Sequence, residues 1–476
     1  MIPISPNFNK EHFKRIKEEI SPIESLDSFL VALGNNLSRL TKIPSEFRER
    51  RIINEFFADK DFSHEILPAI KHFVLSTEKL FDTEIFPFKE HSKAISEEET
   101  DSISANSALY ATTERGIFVR HWSFSREQVA CLIANMMYCS LGFVFTVPFD
   151  VVSGFDRYWR NLGYPQTASH MNMVINYLKL CYFSPSFLKD STPVTVSRGM
   201  LSDDQYLSIL SSMKENSKPL TKVKFLSEGG IGHPKTPVDV EIDFANRCIG
   251  FGPFSTQEEI LFGTTPEACI APLVSTALSD SEACFIGGVT HIGEGIGYGQ
   301  SYKYKGIHSD ISSIWEEMIK ARGMGEILVS PTSSIPKTVA RHSSFMCVDA
   351  KCYLGRDTLG DQVKDMDREL KKFLCGLLLC PPREGDSIGS IGTGAWGCGV
   401  FRGNKHFKLC LQVLAMSHCM VRETQYFTFS DKSITSDWTE WVSKKNISTI
   451  NKLFNVLCKY REYVKEGGRK DIFEFE

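Results

Sequence analysis

The segment Val238-Asp-Val-Glu-Ile-Asp-Phe-Ala-Asn-Arg-Cys-Ile-Gly-Phe-Gly-Pro-Phe-Ser-Thr-Gln-Glu-Glu-Ile260 fixes the reading of everything around it. Its first half alternates: Val238, Val240, Ile242 and Phe244 share one face, and Asp239, Glu241 and Asp243 the other. A period of two predicts a strand with one face in the core and one in water. The chain then enters Gly250-Phe251-Gly252-Pro253, a turn that only glycine-rich backbone makes cheaply. Gln257-Glu258-Glu259 follows, two adjacent carboxylates behind an amide, opening a short apolar segment. Asp243 at the strand end, Asn246, the loop and the Glu pair can therefore converge on one cleft.

Working outward, strands alternate with helices. Lys222–Leu226, Ala283–Val289, Phe345–Val348 and Tyr426–Phe429 read as strands; Lys364–Leu379, Asn404–Met420 and Ile447–Val464 read as helices; Gly293–Gly299 and Gly389–Gly403 read as glycine-rich loops. That alternation predicts an α/β domain over about 191–476. Before it, residues 1 to about 85 carry helical stripes such as Phe13, Ile16 and Ile20, and Ser169–Tyr182 is a further helix. Residues 1–190 are accordingly expected to form a mostly helical accessory domain. Glu90–Thr113, rich in Ser, Glu and Asp without a period, is expected as a solvated linker.

Composition narrows the function classes. The 476 residues suffice for two or three domains, and 42% apolar with 24% charged content is ordinary for a soluble protein. A net charge of −4 lacks the basic excess of a nucleic-acid binder. The 14 cysteines contain no Cys-x-x-Cys and sit among apolar residues, so they read as reduced thiols of an intracellular protein. The amino terminus has no apolar signal core. Gln128–Phe149 is uncharged, but Ser125-x-x-Gln128 matches a capping box, and a buried helix followed by a turn is expected rather than a membrane span.

Asp243-Phe244-Ala245-Asn246-Arg247, the Gly-x-Gly and Gln257-Glu258-Glu259 together resemble the signature of the poly(ADP-ribose) glycohydrolases. Ser125–Asn135 resembles that family's helix ahead of the catalytic domain. Thr393-Gly394-Ala395-Trp396-Gly397-Cys398-Gly399-Val400-Phe401 resembles its diphosphate loop, and Tyr426-Phe427-Thr428-Phe429 the strand that follows. The resemblance implies a macrodomain and cleavage of ribose–ribose bonds in poly(ADP-ribose) carried on modified proteins. It implies a place in the DNA damage response, in nucleus or cytoplasm, with no cofactor, no metal, no membrane and no sequence-specific nucleic-acid binding. It also implies Glu259 as acid/base, Glu258 on a ribose hydroxyl, and Asp243 and Asn246 at the catalytic pocket. The substrate would further meet Gln257, Tyr298, Phe427, Phe429, the loop Ala395 to Val400, and Ile231-Gly232 at the adenine edge.

The residues support that chemistry without proving it. Cleaving at an anomeric carbon requires a proton for the leaving oxygen and a base for water, which carboxyls supply. A Glu pair in a first helical turn is also what the helix dipole favours in any solvated helix. Asp243 and Asn246 are common turn formers, and Phe427 and Phe429 could be core. Glycines ahead of a helix suit a phosphate. Gly397-x-Gly399 with Glu423 about 20 residues on also fits a dinucleotide loop, a reading that leaves Gln257-Glu258-Glu259 unexplained. A macrodomain that binds ADP-ribose without cleaving it is the other alternative. Three departures from the family stand out: its glycine run is Gly250-Phe251-Gly252 here, the four-residue spacer to Gln257 is shortened, and Gly232 and Gly295 stand where the family has an acid and a tyrosine.

Overall fold

The computed structural model describes residues 14–41, 50–80, 111–112, 116–141, 155–232, 237–275, 277–323, 342–355, 358–383, 385–429, 431 and 433–475. The linker expected at Glu90–Thr113 lies outside them apart from Ala111–Thr112, as does the end of the uncharged stretch beyond Leu141. The strands are β1 (Ala111–Thr112), β2 (Phe118–Phe124), β3 (Val194–Met200), β4 (Lys222–Leu226), β5 (Val240–Asp243), β6 (Glu282–Thr290), β7 (Gly293–Ile296), β8 (Lys303–Ile307), β9 (His342–Cys347), β10 (Ile388–Gly394) and β11 (Val421–Phe427). Nine form one sheet in the order β1-β2-β3-β6-β9-β5-β10-β11-β4, and β7 and β8 form a separate hairpin. From β9 to β4 all neighbours run parallel; from β9 outward through β6, β3, β2 and β1 they run antiparallel.

Helices cover both faces. One face carries α1 (Leu26–Thr41), α2 (Arg50–Phe57), α3 (Leu67–Leu80), α4 (Arg126–Met137), α5 (Pro165–Phe183) and α6 (Gln257–Thr264). The other carries α7 (Met366–Leu379), α8 (Lys405–His418) and α9 (Ile450–Lys465). α4 opens with a complete capping box, Gln128 N–H donating to Ser125 Oγ and Ser125 N–H to Gln128 Oε1. Among the described residues no helix is long and apolar enough to cross a membrane. All fourteen cysteines are free thiols.

Two expectations change. β5 is not half wet: all four of its residues are buried. Val240 and Ile242 face the α7–α9 layer. The opposite, acidic face meets the α1–α6 layer, where Glu241 bonds the Gly232 amide and His291. A central strand covered on both faces must bury whatever it carries. The loop expected at Gly389–Gly403 is half strand, because β10 runs through Gly389, Gly392 and Gly394. A Cβ at Gly389 would overlap Asp239, and one at Gly394 would press on the Phe427 carbonyl. These glycines serve close packing rather than flexibility. Across the boundary expected near residue 190, β2 pairs with β3, and one apolar core runs from Ile16 to Cys347.

Candidate functional site

β5 and β10 are parallel neighbours, Ile391 facing Val240 and Gly392 facing Glu241. The chain leaving β5 joins α6 on one face, and the chain leaving β10 joins α8 on the other. Diverging connections open a crevice at the strands' carboxyl ends, where open α/β sheets place ligands. A cleft of about 590 Å³ lies there. Asn246, Gln257, Glu258, Glu259, Tyr298, Ala395, Gly397, Gly399 and Val400 line it; of the expected contacts Asp243, Ile231, Gly232, Trp396, Cys398, Phe427 and Phe429 do not.

The carboxylates are held in different ways. Glu258 accepts N–H bonds from Asn246 at 3.0 Å and Gly250 at 2.9 Å, so both its oxygens are fixed by the loop leaving β5. Burial pushes its pKa well above the usual carboxylate range, with the neighbouring Asp243 charge adding, while the two N–H bonds oppose. Glu259 Oε2 accepts from the Thr256 N–H at 2.8 Å and its hydroxyl at 2.9 Å. A Cβ on Gly252 would overlap Glu259 Oε1, so that loop glycine leaves room for the carboxylate. Gln257 faces the backbone instead of the open cleft: its Oε1 accepts from Phe244 N–H at 2.7 Å and its Nε2 donates to Ile242 at 3.1 Å. It thereby fastens α6 to the end of β5.

Asp243 is wholly buried, with the Cys347 thiol beside its carboxylate. Burial raises its pKa to about 7, with the adjacent Cys347 thiol lowering it somewhat. In this conformation Asp243 acts on the cleft through Glu258, not by touching a ligand.

After β10 the chain folds into tight turns, with Cys398 N–H donating to Ala395 and Gly403 N–H to Gly397. Gly397 has φ +70°, and a Cβ there would press on Ala350. Trp396 is buried and donates to the Val348 carbonyl at 2.9 Å, so it anchors the loop from below. The amino end of α8 is closed by its own cap, Phe407 N–H donating to Asn404. Tyr298 and Phe429 are exposed, their rings 5.6 Å apart, whereas Phe427 is buried against β10. Ile231 packs on the core and the Gly232 amide serves Glu241. Glu423 lies toward the start of β11, paired with Lys224 at 2.6 Å, far from the strand ends where a dinucleotide's ribose would sit.

Sequence reading passed over three residues. His170 on α5 is buried, stacked between Tyr158 and Tyr302, and shares a 2.6 Å bond with the Ser255 hydroxyl. Burial lowers its pKa to about 3, so the ring is neutral. Ser255 is buried with φ +54°, an uncommon conformation for a residue with a side chain, next to the Thr256 that holds Glu259. Arg157 lines the cleft from a short helix, Asp156–Arg160. His170 and Arg157 stand far from the motif and carry no periodic or spacing signal, and Ser255 sits inside it as an ordinary loop serine. Among the described residues no group of three or more His, Cys, Asp or Glu could hold a metal.

Comparison with known proteins places this cleft in a family context. Residues 210–436 match the family model described as Poly (ADP-ribose) glycohydrolase (PARG), Macro domain fold. Poly(ADP-ribose) glycohydrolase 2 of Caenorhabditis elegans is 29% identical over 216 residues, 44% of this chain and 41% of that protein. The Arabidopsis thaliana protein named probable poly(ADP-ribose) glycohydrolase 2 is 24% identical over 419 residues, 80% of this chain and 74% of that one. The chain thus spans about two fifths of the first relative's length and about three quarters of the second's. A crystal structure of poly(ADP-ribose) glycohydrolase from Deinococcus radiodurans with ADP-ribose is 14% identical, covering 48% of this chain and 85% of that one, with a TM-score of 0.28.

Proposed function

We propose that this chain, whose residues 210–436 match the poly(ADP-ribose) glycohydrolase family model, hydrolyses the ribose–ribose bonds of poly(ADP-ribose), releasing ADP-ribose. The observation that carries this reading is the pair Glu258–Glu259 at the head of α6, each carboxylate fixed separately and both lining one cleft. The substrate class is polymer attached to modified proteins, met in nucleus or cytoplasm. Direct sequence-specific nucleic-acid binding and a membrane have no part in the reading.

In this reading the diphosphate of the bound unit lies on the backbone of Ala395 to Val400, and the adenine lies by Tyr298 and Phe429. Glu258 accepts a hydrogen bond from a hydroxyl of the reacting ribose, beside Asn246. Glu259 gives its proton to the oxygen of the leaving unit as the C–O bond breaks. Positive charge develops on the ring oxygen and anomeric carbon. A water then attacks that carbon and returns a proton to Glu259, which restores the starting state. No metal or cofactor enters. The second reading, a module that binds ADP-ribose without cutting it, is favoured by one observation. Glu259 Oε2 is already engaged twice by Thr256 in the shortened loop.

Turnover and ADP-ribose affinity on one variant separate the two. Glu259→Gln keeps size and hydrogen bonding but cannot carry the proton. Polymer hydrolysis should fall about 10²–10⁴-fold while ADP-ribose affinity stays close to wild type. Wild-type turnover from Glu259→Gln would remove the acid/base assignment. A wild type that binds ADP-ribose yet releases none from polymer would establish the binding module.

A further inference from the structure

We propose that Phe254 and Arg157 form a second nucleotide subsite, which grips the ADP-ribose unit on the leaving side of the cut bond. The proposal rests on the polymer-hydrolase reading above. One nucleotide is already provided for by a backbone turn for its diphosphate and by Tyr298 and Phe429 for its base. The cleft also displays the Phe254 ring and the Arg157 guanidinium, to which that assignment gives no part.

Phe254 lines the cleft and is 68% exposed. Its backbone is fixed on both sides. The Pro253 carbonyl accepts from the Thr167 hydroxyl at 3.3 Å. The Ser255 side chain is bonded to His170, and its carbonyl accepts from Gly299 N–H at 2.8 Å. An apolar ring held out to water on a pinned, left-handed turn is presented for contact rather than left over from packing. Every nucleobase has a face that such a ring can stack on.

Arg157 is the one lysine or arginine lining the cleft among the described residues. It is exposed and makes no ion pair among the described residues, whereas Glu258 and Glu259 are held by backbone and Thr256. Its helix is seated by Phe155 and Tyr158, whose rings lie 4.7 and 5.5 Å from Phe251 in the carboxylate loop. Both residues thus stand on the wall built from the amino-terminal helices and the loop after β5. The glycine turn on the other wall is backed by Ala350 and Lys408. The leaving unit carries a second base and a second diphosphate, which are the two chemistries that Phe254 and Arg157 supply.

The test compares two substrates on the full chain: poly(ADP-ribose) and an aryl glycoside of ADP-ribose, whose leaving group holds no nucleotide. Phe254→Ala and Arg157→Gln should each lower kcat/KM for polymer, relative to the aryl glycoside, by about tenfold. The Arg157 variant should also flatten the salt dependence of the polymer KM. An unchanged ratio in both variants would overturn the subsite. Equal losses on both substrates would also overturn it, by assigning the two residues to the terminal unit. Affinities for ADP-ribose and for an ADP-ribose dimer, measured in Glu259→Gln, need no turnover. A dimer preference that Phe254→Ala removes would support the subsite even if the hydrolase reading failed. A wild type that cut neither substrate would sink only the hydrolase reading.

Discussion

Gly252 and Asp243 shape the two carboxylates without being able to react themselves. A Cβ at Gly252 meets Glu259 Oε1, the far end of a side chain that, among the described residues, only Thr256 holds, through its other oxygen. Gly252→Ala should therefore leave the melting temperature almost unchanged while displacing the proposed proton donor. Polymer hydrolysis should drop about 10²–10⁴-fold, as judged by released ADP-ribose against a thermal melt of the same sample. Normal turnover would show that Glu259 works from another rotamer. Asp243 makes a claim on stability instead. Its folded pKa of about 7 stands above the ordinary 3.8. Between those values the folded state holds a proton that the unfolded state has lost, so stability falls as pH rises through the window and levels off above it. Asp243→Asn, neutral throughout, should flatten the melting temperature against pH from 4 to 7. It should also gain on wild type at pH 8. Superimposable profiles would show that folding does not raise the Asp243 pKa.

β5, β10 and the turn beyond β10 show how far the sequence could be read. The alternation of Val238–Phe244 gave the right strand and the wrong surroundings. A period of two cannot say whether the polar face meets water or, as here, His291 and the Gly232 amide. Gly389–Gly403 read as a loop because its glycines look permissive, yet three of them clear space for Asp239, Val238 and Phe427. That Glu258, Glu259 and the loop ends would meet at one cleft was legible from their spacing in the motif. His170 and Arg157 were not, since only tertiary packing brings them near, and Ser255 lies inside the motif with no spacing that marks it. The turn itself yields a contrast. Gly397 has φ +70° and crowds Ala350, whereas nothing lies within 4 Å of a Cβ on Gly399, which lines the cleft. Gly399→Trp should keep the melt of the wild type and weaken ADP-ribose by about a hundredfold or more, the worth of two bonds to a charged group. Unchanged affinity by calorimetry would move the diphosphate off this turn.

The amino-terminal helices and the sheet are one packed body among the described residues, and that has a consequence for any shortened form. Cutting at 190 would strip β1 and β2 from β3, leaving a long bare edge. It would remove Arg126, whose Nε lies 2.6 Å from Glu267, both side chains being fully buried. Burial already raises the Glu267 pKa, and Arg126 is the charge that offsets it most. Losing one partner of such a pair costs about 3–5 kcal/mol, against a total stability on the order of 5–15 kcal/mol for a folded protein. The same cut takes away His170, which pins Ser255, and Phe155 and Tyr158, which seat Phe251. Residues 191–476 expressed alone should show no cooperative thermal transition and no ADP-ribose binding, while the full chain shows both. A fragment that melts cooperatively and binds ADP-ribose as the full chain does would restore the division at 190. It would also reduce the helical layer to an attachment, and the site would then owe its geometry to the sheet and α6 alone.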